Sequence, residues 1–145
     1  MDLIIKPANK ENLNAIFKLL LDNKLPTVDL KEDYVDLFVG LINDNVVASI
    51  GLERYNGIGL LRSLAVSDEF KNQKIGDKLM IQLFNLCNTD KIDELYLLTT
   101  TAEKYFEKYG FCKIDRNNTP DTIRQTHEFK DICPVSAVVM CKKLN

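Results

Sequence analysis

The apolar positions of this chain follow two periods, and the switches between them lay out its elements. Leu3-Ile4-Ile5 is a short apolar run closed by Pro7, the pattern of an opening strand. Leu13, Ile16, Phe17, Leu20 and Leu21 then recur at steps of three and four, which predicts an amphipathic helix. Asn9 is placed to cap it and Glu11 falls in its first turn. The helix ends between Asn23 and Pro26, and the acidic stretch that follows reads as a loop with at most one helical turn. Leu37 to Ile42 and Val46 to Tyr55 read as strands joined by Asn43-Asp44-Asn45. Asn56-Gly57 is a type I′ hairpin signal that returns the chain into Leu60 to Val66.

The stretch from Leu60 to Leu86 organises the rest. Leu60 to Val66 is apolar apart from Arg62 and Ser63, long enough for one buried strand. Ser67 to Lys74 is polar apart from Phe70. After it, Ile75, Leu79, Met80, Leu83, Phe84 and Cys87 form the stripe of a half-buried helix that ends near Asn88. Glu94 to Thr99 is the next strand, and Ala102 to Tyr109 a short helix stopped by Gly110. Cys112 to Ile114 and Ala137 to Cys141 are the final strands. Between them, Asp115 to Ser136 is polar, with short helical pieces around Thr122 and Phe129. The order of elements predicts an α/β sheet with crossovers, with three antiparallel strands leading into the polar loop, in one domain spanning 1–145.

A strand that delivers its end into a loop at a helix N-terminus makes an anion site. The first-turn N–H groups point along the helix axis, and the dipole adds partial positive charge. Lys71, Lys74 and Lys78 add formal charge around that point, which suits a phosphate. The alternative is an ordinary crossover with solvated lysines. Neither GxxxxGK[ST] nor GxGxxG occurs, so the Gly-rich phosphate motifs are excluded.

Composition narrows the classes further. The chain has 145 residues, enough to bury about 68–70% of its unfolded surface around one core. A net charge of −2 argues against a nucleic-acid partner, and no apolar run approaches the ~20 residues of a membrane span. The start, MDLIIKPANK, lacks the basic and apolar segments of a secretion leader, so a cytoplasmic location is expected. Cys87, Cys112, Cys133 and Cys141 contain no CxxC pair and read as small buried hydrophobes. With His127 the single histidine, in a polar stretch, no metal site is expected, and no G-x-S-x-G supplies a hydrolase nucleophile.

The central stretch resembles the coenzyme motif of the GNAT N-acetyltransferase superfamily, in which a strand ending L-A-V leads into R/Q-x-x-G-x-G/A and a helix. Leu64-Ala65-Val66 stands at the strand end and Lys71-Asn72-Gln73-Lys74-Ile75-Gly76 at the loop. Tyr105 to Phe111, Y-F-E-K-Y-G-F, resembles the superfamily's helix ending in G-F. A narrower resemblance rests on Leu60 to Val66, Leu97 to Ala102, Ile123-Arg124, Glu128-Phe129, Ile132-Cys133-Pro134 and Ser136-Ala137. These are similar to the arsenic-resistance N-acetyltransferases over nearly the whole chain.

The resemblance implies an α/β, GNAT-type acyl-CoA N-acyltransferase fold, a mixed and mostly antiparallel sheet flanked by helices, with acetyl-CoA as cosubstrate. The loop from Lys71 through Asp77 would wrap the pyrophosphate, the backbone of Leu64, Ala65 and Val66 would pair with the pantetheine arm, and Phe106 would pack against that arm. The expected activity is direct acetyl transfer to a small amine or amino-acid-like molecule, a toxic one included, with no nucleic-acid or membrane partner and room for a homodimer. The alternatives are a protein N-acetyltransferase and a domain that binds acyl-CoA as a sensor without transferring it.

Two positions depart from the pattern. Lys71 replaces Arg or Gln, and Lys74 replaces the first Gly, where a residue with φ > 0 or a close approach to phosphate would favour glycine. Many members also carry a proton-donating tyrosine four residues before the Gly of G-F. Here that position is Phe106, leaving Tyr105 and Tyr109 or water as donors. Both tyrosines equally suit the core, with satisfied hydroxyls. Glu53 is the expected general base, being on the strand that neighbours Leu60 to Val66 across the Asn56-Gly57 turn. Its alternatives are a solvated strand end or an ion pair with Arg62. Arg62 interrupts an apolar strand, so a buried guanidinium there needs a carboxylate, from Glu53 or from an amino-acid-like substrate. Arg124 is a second substrate anchor, or a surface charge.

Overall fold

The computed structural model describes residues 2–132 and 136–144. In chain order the elements are β1 (Leu3–Pro7), α1 (Leu13–Asp22), β2 (Asp36–Ile42), β3 (Asn45–Tyr55), β4 (Ile58–Val66) and α2 (Ile75–Thr89). They continue with β5 (Glu94–Thr99), α3 (Glu103–Glu107), β6 (Cys112–Ile114), α4 (Asp121–Arg124) and β7 (Val138–Lys143). The strands form one seven-stranded sheet in the order β1-β2-β3-β4-β5-β7-β6. β4 and β5 run parallel, while β1/β2, β2/β3, β5/β7 and β6/β7 are antiparallel. This is the mixed, mostly antiparallel sheet that the resemblance implies.

Two compact units divide the chain, the first comprising the chain up to Glu53 with Arg62–Leu86. Its core brings Ile16, Leu19 and Leu20 of α1 against Val39 and Leu41 of β2 and Ala65 of β4. Ile16 and Leu20 of the predicted stripe therefore face the sheet together with Leu19, which the stripe does not include, whereas Leu21, placed in the stripe, is 63% exposed. Burying each large aliphatic side chain is worth about 1.5–3 kcal/mol. The β2–β3 turn is the two-residue Asn43-Asp44, both left-handed at φ 51° and 64°, so its twist matches the strands it joins.

The second unit comprises Arg54–Leu61 and the chain from Cys87 on. Leu60, Tyr96 and Ile123 form one of its buried clusters, with Ile58, Leu98, Ile114 and Phe129 packed around it. Asn56 (φ 48°) and Gly57 (φ 84°) make the expected type I′ turn. The Gly57 carbonyl accepts from the Asp93 N–H at 2.7 Å, which ties the turn to the start of β5.

Three local expectations change. Asn9 caps a 3-10 turn, Lys10–Asn12, rather than α1 itself, because Asn9 and Asn12 exchange reciprocal side-chain bonds at 2.9 and 3.2 Å. α3 is shorter than Ala102 to Tyr109. The Tyr109 and Gly110 N–H groups bond three residues back, to Phe106 and Glu107, tightening the last turn before Gly110 at φ 91°. The cysteines are not uniformly buried. Cys87 is, but Cys112 is exposed on the short strand β6 and Cys141 is half-buried, while Cys133 lies outside the described residues.

Candidate active site

β4 carries the first part of the site. Its run from Gly59 through Ser63 is buried without alternation, as in a strand interior to the sheet, and Ser63 takes a left-handed φ of 60° in mid-strand. A non-glycine residue held there costs about 1–3 kcal/mol and persists only where its surroundings fix it. Here Ser49 Oγ donates to the Ser63 carbonyl at 2.8 Å, and Arg62 Nε donates to Ser63 Oγ at 3.2 Å. Beyond the kink Ala65 packs into the core, while Leu64 and Val66 are half-buried. The Ser67 N–H returns to the Val47 carbonyl at 2.7 Å, so the Leu64–Val66 backbone is fixed at both ends.

Arg62 is the centre of a buried ion cluster. Its Nη1 and Nη2 donate to the two Asp29 oxygens at 2.7 and 2.5 Å, and Nη1 also donates to Glu53 Oε2 at 2.8 Å. Arg62 is 3% exposed, Asp29 6% and Glu53 0%. Tyr34 donates its hydroxyl to Asp29 Oδ2 at 2.8 Å. Burial pushes the Asp29 carboxyl up, but the Arg62 guanidinium and the Tyr34 hydroxyl outweigh it and hold it below the usual range. Burial and the bond to Asp29 push the Tyr34 hydroxyl up. Of the alternatives raised for Glu53, the geometry fits the ion pair. Asp29 was not legible as a partner. Arg62 demanded a carboxylate, but Asp29, Glu32 and Asp33 share one unpatterned acidic stretch with nothing to select among them.

The loop at the head of α2 is the second part. After a 3-10 turn at Asp68–Phe70 and an extended Lys71, Asn72 (φ 67°) and Lys74 (φ 64°) are both left-handed. Lys74 therefore does hold the conformation that a glycine would take without cost. The Lys78 N–H bonds to the Lys74 carbonyl at 3.2 Å, so α2 starts from Lys74. Ile75, Leu79 and Met80 anchor that start in the core, while Lys71, Asn72, Gln73, Lys74 and Lys78 are exposed and Gly76 and Asp77 half-buried. Lys71 Nζ sits 2.8 Å from Asp68 Oδ1, an exposed pair that an arriving anion can displace. Left-handed turns, an anchored 15-residue helix and three exposed lysines fit a diphosphate.

These residues belong to the first unit. Tyr105, Phe106 and Tyr109 belong to the second, on α3 and the turn after it. Phe106 is 6% exposed and stacks edge-on to Tyr105 (5.3 Å between ring centres) and Phe111 (5.8 Å), so it is a core residue. Tyr105 and Tyr109 are half-buried with ring centres 5.4 Å apart. Arg124, also in the second unit, pairs with the exposed Asp121 at 2.5 Å on its own short helix. Among the described residues no cluster of three or more His, Cys, Asp or Glu is placed to hold a metal ion, and no helix is long and apolar enough to cross a membrane.

The sequence model of the acetyltransferase (GNAT) domain matches residues 33–113, more than half of the chain. No curated protein matches it at a significant level. Among solved structures, an acetyltransferase of the GNAT family from Staphylococcus aureus Mu50 superposes with a TM-score of 0.81 at 21% identity, covering 99% of this chain and 100% of that one. N-acetylglutamate synthase from Neisseria gonorrhoeae, in complex with coenzyme A and N-acetyl-glutamate, gives 0.83 at 17% identity, over 100% of this chain and 36% of that one. The ribosomal-protein-S18-alanine N-acetyltransferase from Escherichia coli gives 0.76 at 16% identity, over 99% and 95%.

Proposed function

The chain belongs to the GNAT acetyltransferase domain family, and on that premise we propose that it is a cytoplasmic enzyme that moves the acetyl group of acetyl-CoA directly onto a small, amino-acid-like amine. One observation carries the reading. A kinked strand end, Leu64–Val66, runs through a loop with two left-handed residues into the N-terminus of α2, with exposed lysines around it. Acetyl-CoA supplies an activated acyl carbon and a thiolate leaving group.

The chain's own residues supply the rest. Backbone N–H groups of the Lys71–Asp77 loop and the lysine charges hold the diphosphate. The Leu64–Val66 backbone orients the pantetheine arm, and its N–H groups polarise the thioester oxygen. Arg62 holds Asp29 and so ties the loop before β2 to β4. Support for the acceptor class comes from the resemblance to the arsenic-resistance N-acetyltransferases and from the similar fold of N-acetylglutamate synthase, whose structure holds N-acetyl-glutamate.

Glu53 then acts as a positioning residue, holding Arg62, and the ammonium proton leaves to water. Phe106 has no proton to give, so water can return one to the thiolate, a leaving group of modest basicity. Thiol release from acetyl-CoA, measured against a panel of amines and peptides with free N-termini, tests the reaction and the acceptor class. Glu53→Gln tests the assignment, because an amide oxygen still accepts from Arg62. The pH profile of kcat/KM keeps its shape if Glu53 positions. A loss of about 10²–10⁴-fold in kcat with the acidic limb gone makes Glu53 the base instead. Coenzyme binding with no turnover on any acceptor favours the sensor reading.

A further inference from the structure

The β6–β7 ladder sets Cys112 directly opposite Cys141, and both are free thiols. Facing residues of an antiparallel pair project from the same side of the sheet, so the two thiols share one face. The same row continues to Tyr96, opposite Cys141, and to Leu60, paired with Tyr96. It grades from Leu60 at 0% exposure and Tyr96 at 5%, through half-buried Cys141, to exposed Cys112 at the sheet edge. Sequence spacing hides this pair, because only the strand register brings the two together.

We propose that Cys112 and Cys141 form a reversible disulfide site, closed by exchange with a low-molecular-weight disulfide. The Cys112 thiolate attacks one sulfur of the small disulfide, forming a mixed disulfide and releasing one thiolate. The Cys141 thiolate then displaces the second small thiol from Cys112, forming the Cys112–Cys141 bond. Two protons leave the protein thiols and end on the two released thiols, while the small disulfide is reduced by two electrons. Cys112 attacks first because it is exposed, whereas burial pushes the Cys141 thiol up, an effect that its contact with Tyr96 only partly reverses. Cys87 does not compete, being fully buried with its thiol pushed up to about 11.

Geometry also sets the character of the bond. Directly opposed side chains have Cβ atoms about 4.5–5.5 Å apart, and a disulfide needs about 3.5–4.5 Å. The strands must close by roughly an ångström, which β6 can do as a three-residue edge strand. The resulting strain makes the bond one of the easily reduced, regulatory kind.

The test uses the folded 145-residue chain carrying Cys133→Ser, incubated with glutathione disulfide and read by intact mass and peptide mapping. The expected product has lost two hydrogens, retains no glutathione, links the peptides containing Cys112 and Cys141, and reverts with dithiothreitol. Amide exchange at Lys113 and Ile114 slows in the oxidised form. Adding Cys141→Ser leaves one glutathione on Cys112. A stable glutathione adduct on Cys112 with both thiols present, a link between two chains, or no reaction overturns the proposal. Should Cys133→Ser fail to fold, the map of the wild-type protein decides: a Cys112–Cys141 link supports the site, and a link from either to Cys133 contradicts it.

Discussion

Two charged stretches of the first unit are built on opposite terms. Inside β4, Arg62 spends its guanidinium on Asp29, Glu53 and Ser63, all of them buried. At the head of α2, Lys71, Lys74 and Lys78 stand in water. Each stretch holds a non-glycine residue at a left-handed φ, Ser63 at 60° and Lys74 at 64°. Ser63 is clamped by two side-chain bonds, while Lys74 opens a helix. Charge that is buried is committed to the fold, and removing it costs stability. Exposed charge at a helix N-terminus costs little to remove and is available to a ligand.

The largest expected effect is on the buried side. Arg62→Leu leaves two carboxylates without their guanidinium and should cost about 3–5 kcal/mol, read from denaturant unfolding. That is a large share of the ~5–15 kcal/mol typical of a whole domain. If the loss is under about 1 kcal/mol, the cluster is not the structural anchor described here.

A smaller effect of the same cluster is its response to acid. Asp29 titrates below its unfolded value of about 3.9, so its stabilising contribution is complete above that pH and is lost as pH falls through the folded value. Unfolding midpoints followed from neutral pH to below about pH 3 should fall more steeply for the wild type than for Asp29→Asn over that last interval. Parallel curves would mean that Arg62 does not favour the ionised carboxylate.

On the exposed side the change should be a gain. Lys74→Gly removes the left-handed strain and should raise stability by up to about 1 kcal/mol, while Ser63→Gly also loses the Arg62 contact and should gain nothing. Equal shifts for the two would erase the distinction between a clamped and an unclamped kink.

Local chemistry explains what was legible in the sequence. Asn56-Gly57 and Gly110 announce their left-handed backbones by residue type, and Glu94–Thr99 stands where its apolar run places it. Ser63 gives no such warning, since serine is not a usual left-handed residue and only its clamping holds it there. Arg62 in an apolar strand demanded a partner, and Glu53 was within reach of pattern reasoning. Asp29 was not, because its pairing spans 33 residues of chain. The facing of Cys112 and Cys141 depends on register, which no spacing rule reports.

The central claim is that the loop at the head of α2 binds the diphosphate of acetyl-CoA. Calorimetric titration of acetyl-CoA into the wild type and into Lys71→Glu/Lys74→Glu, at low and high salt, tests it most directly. The account predicts that the variant binds at least about tenfold more weakly at low salt, that its affinity depends less on salt, and that the gap narrows at high salt. Equal affinities with equal salt dependence would contradict it, and the coenzyme would have to be held elsewhere.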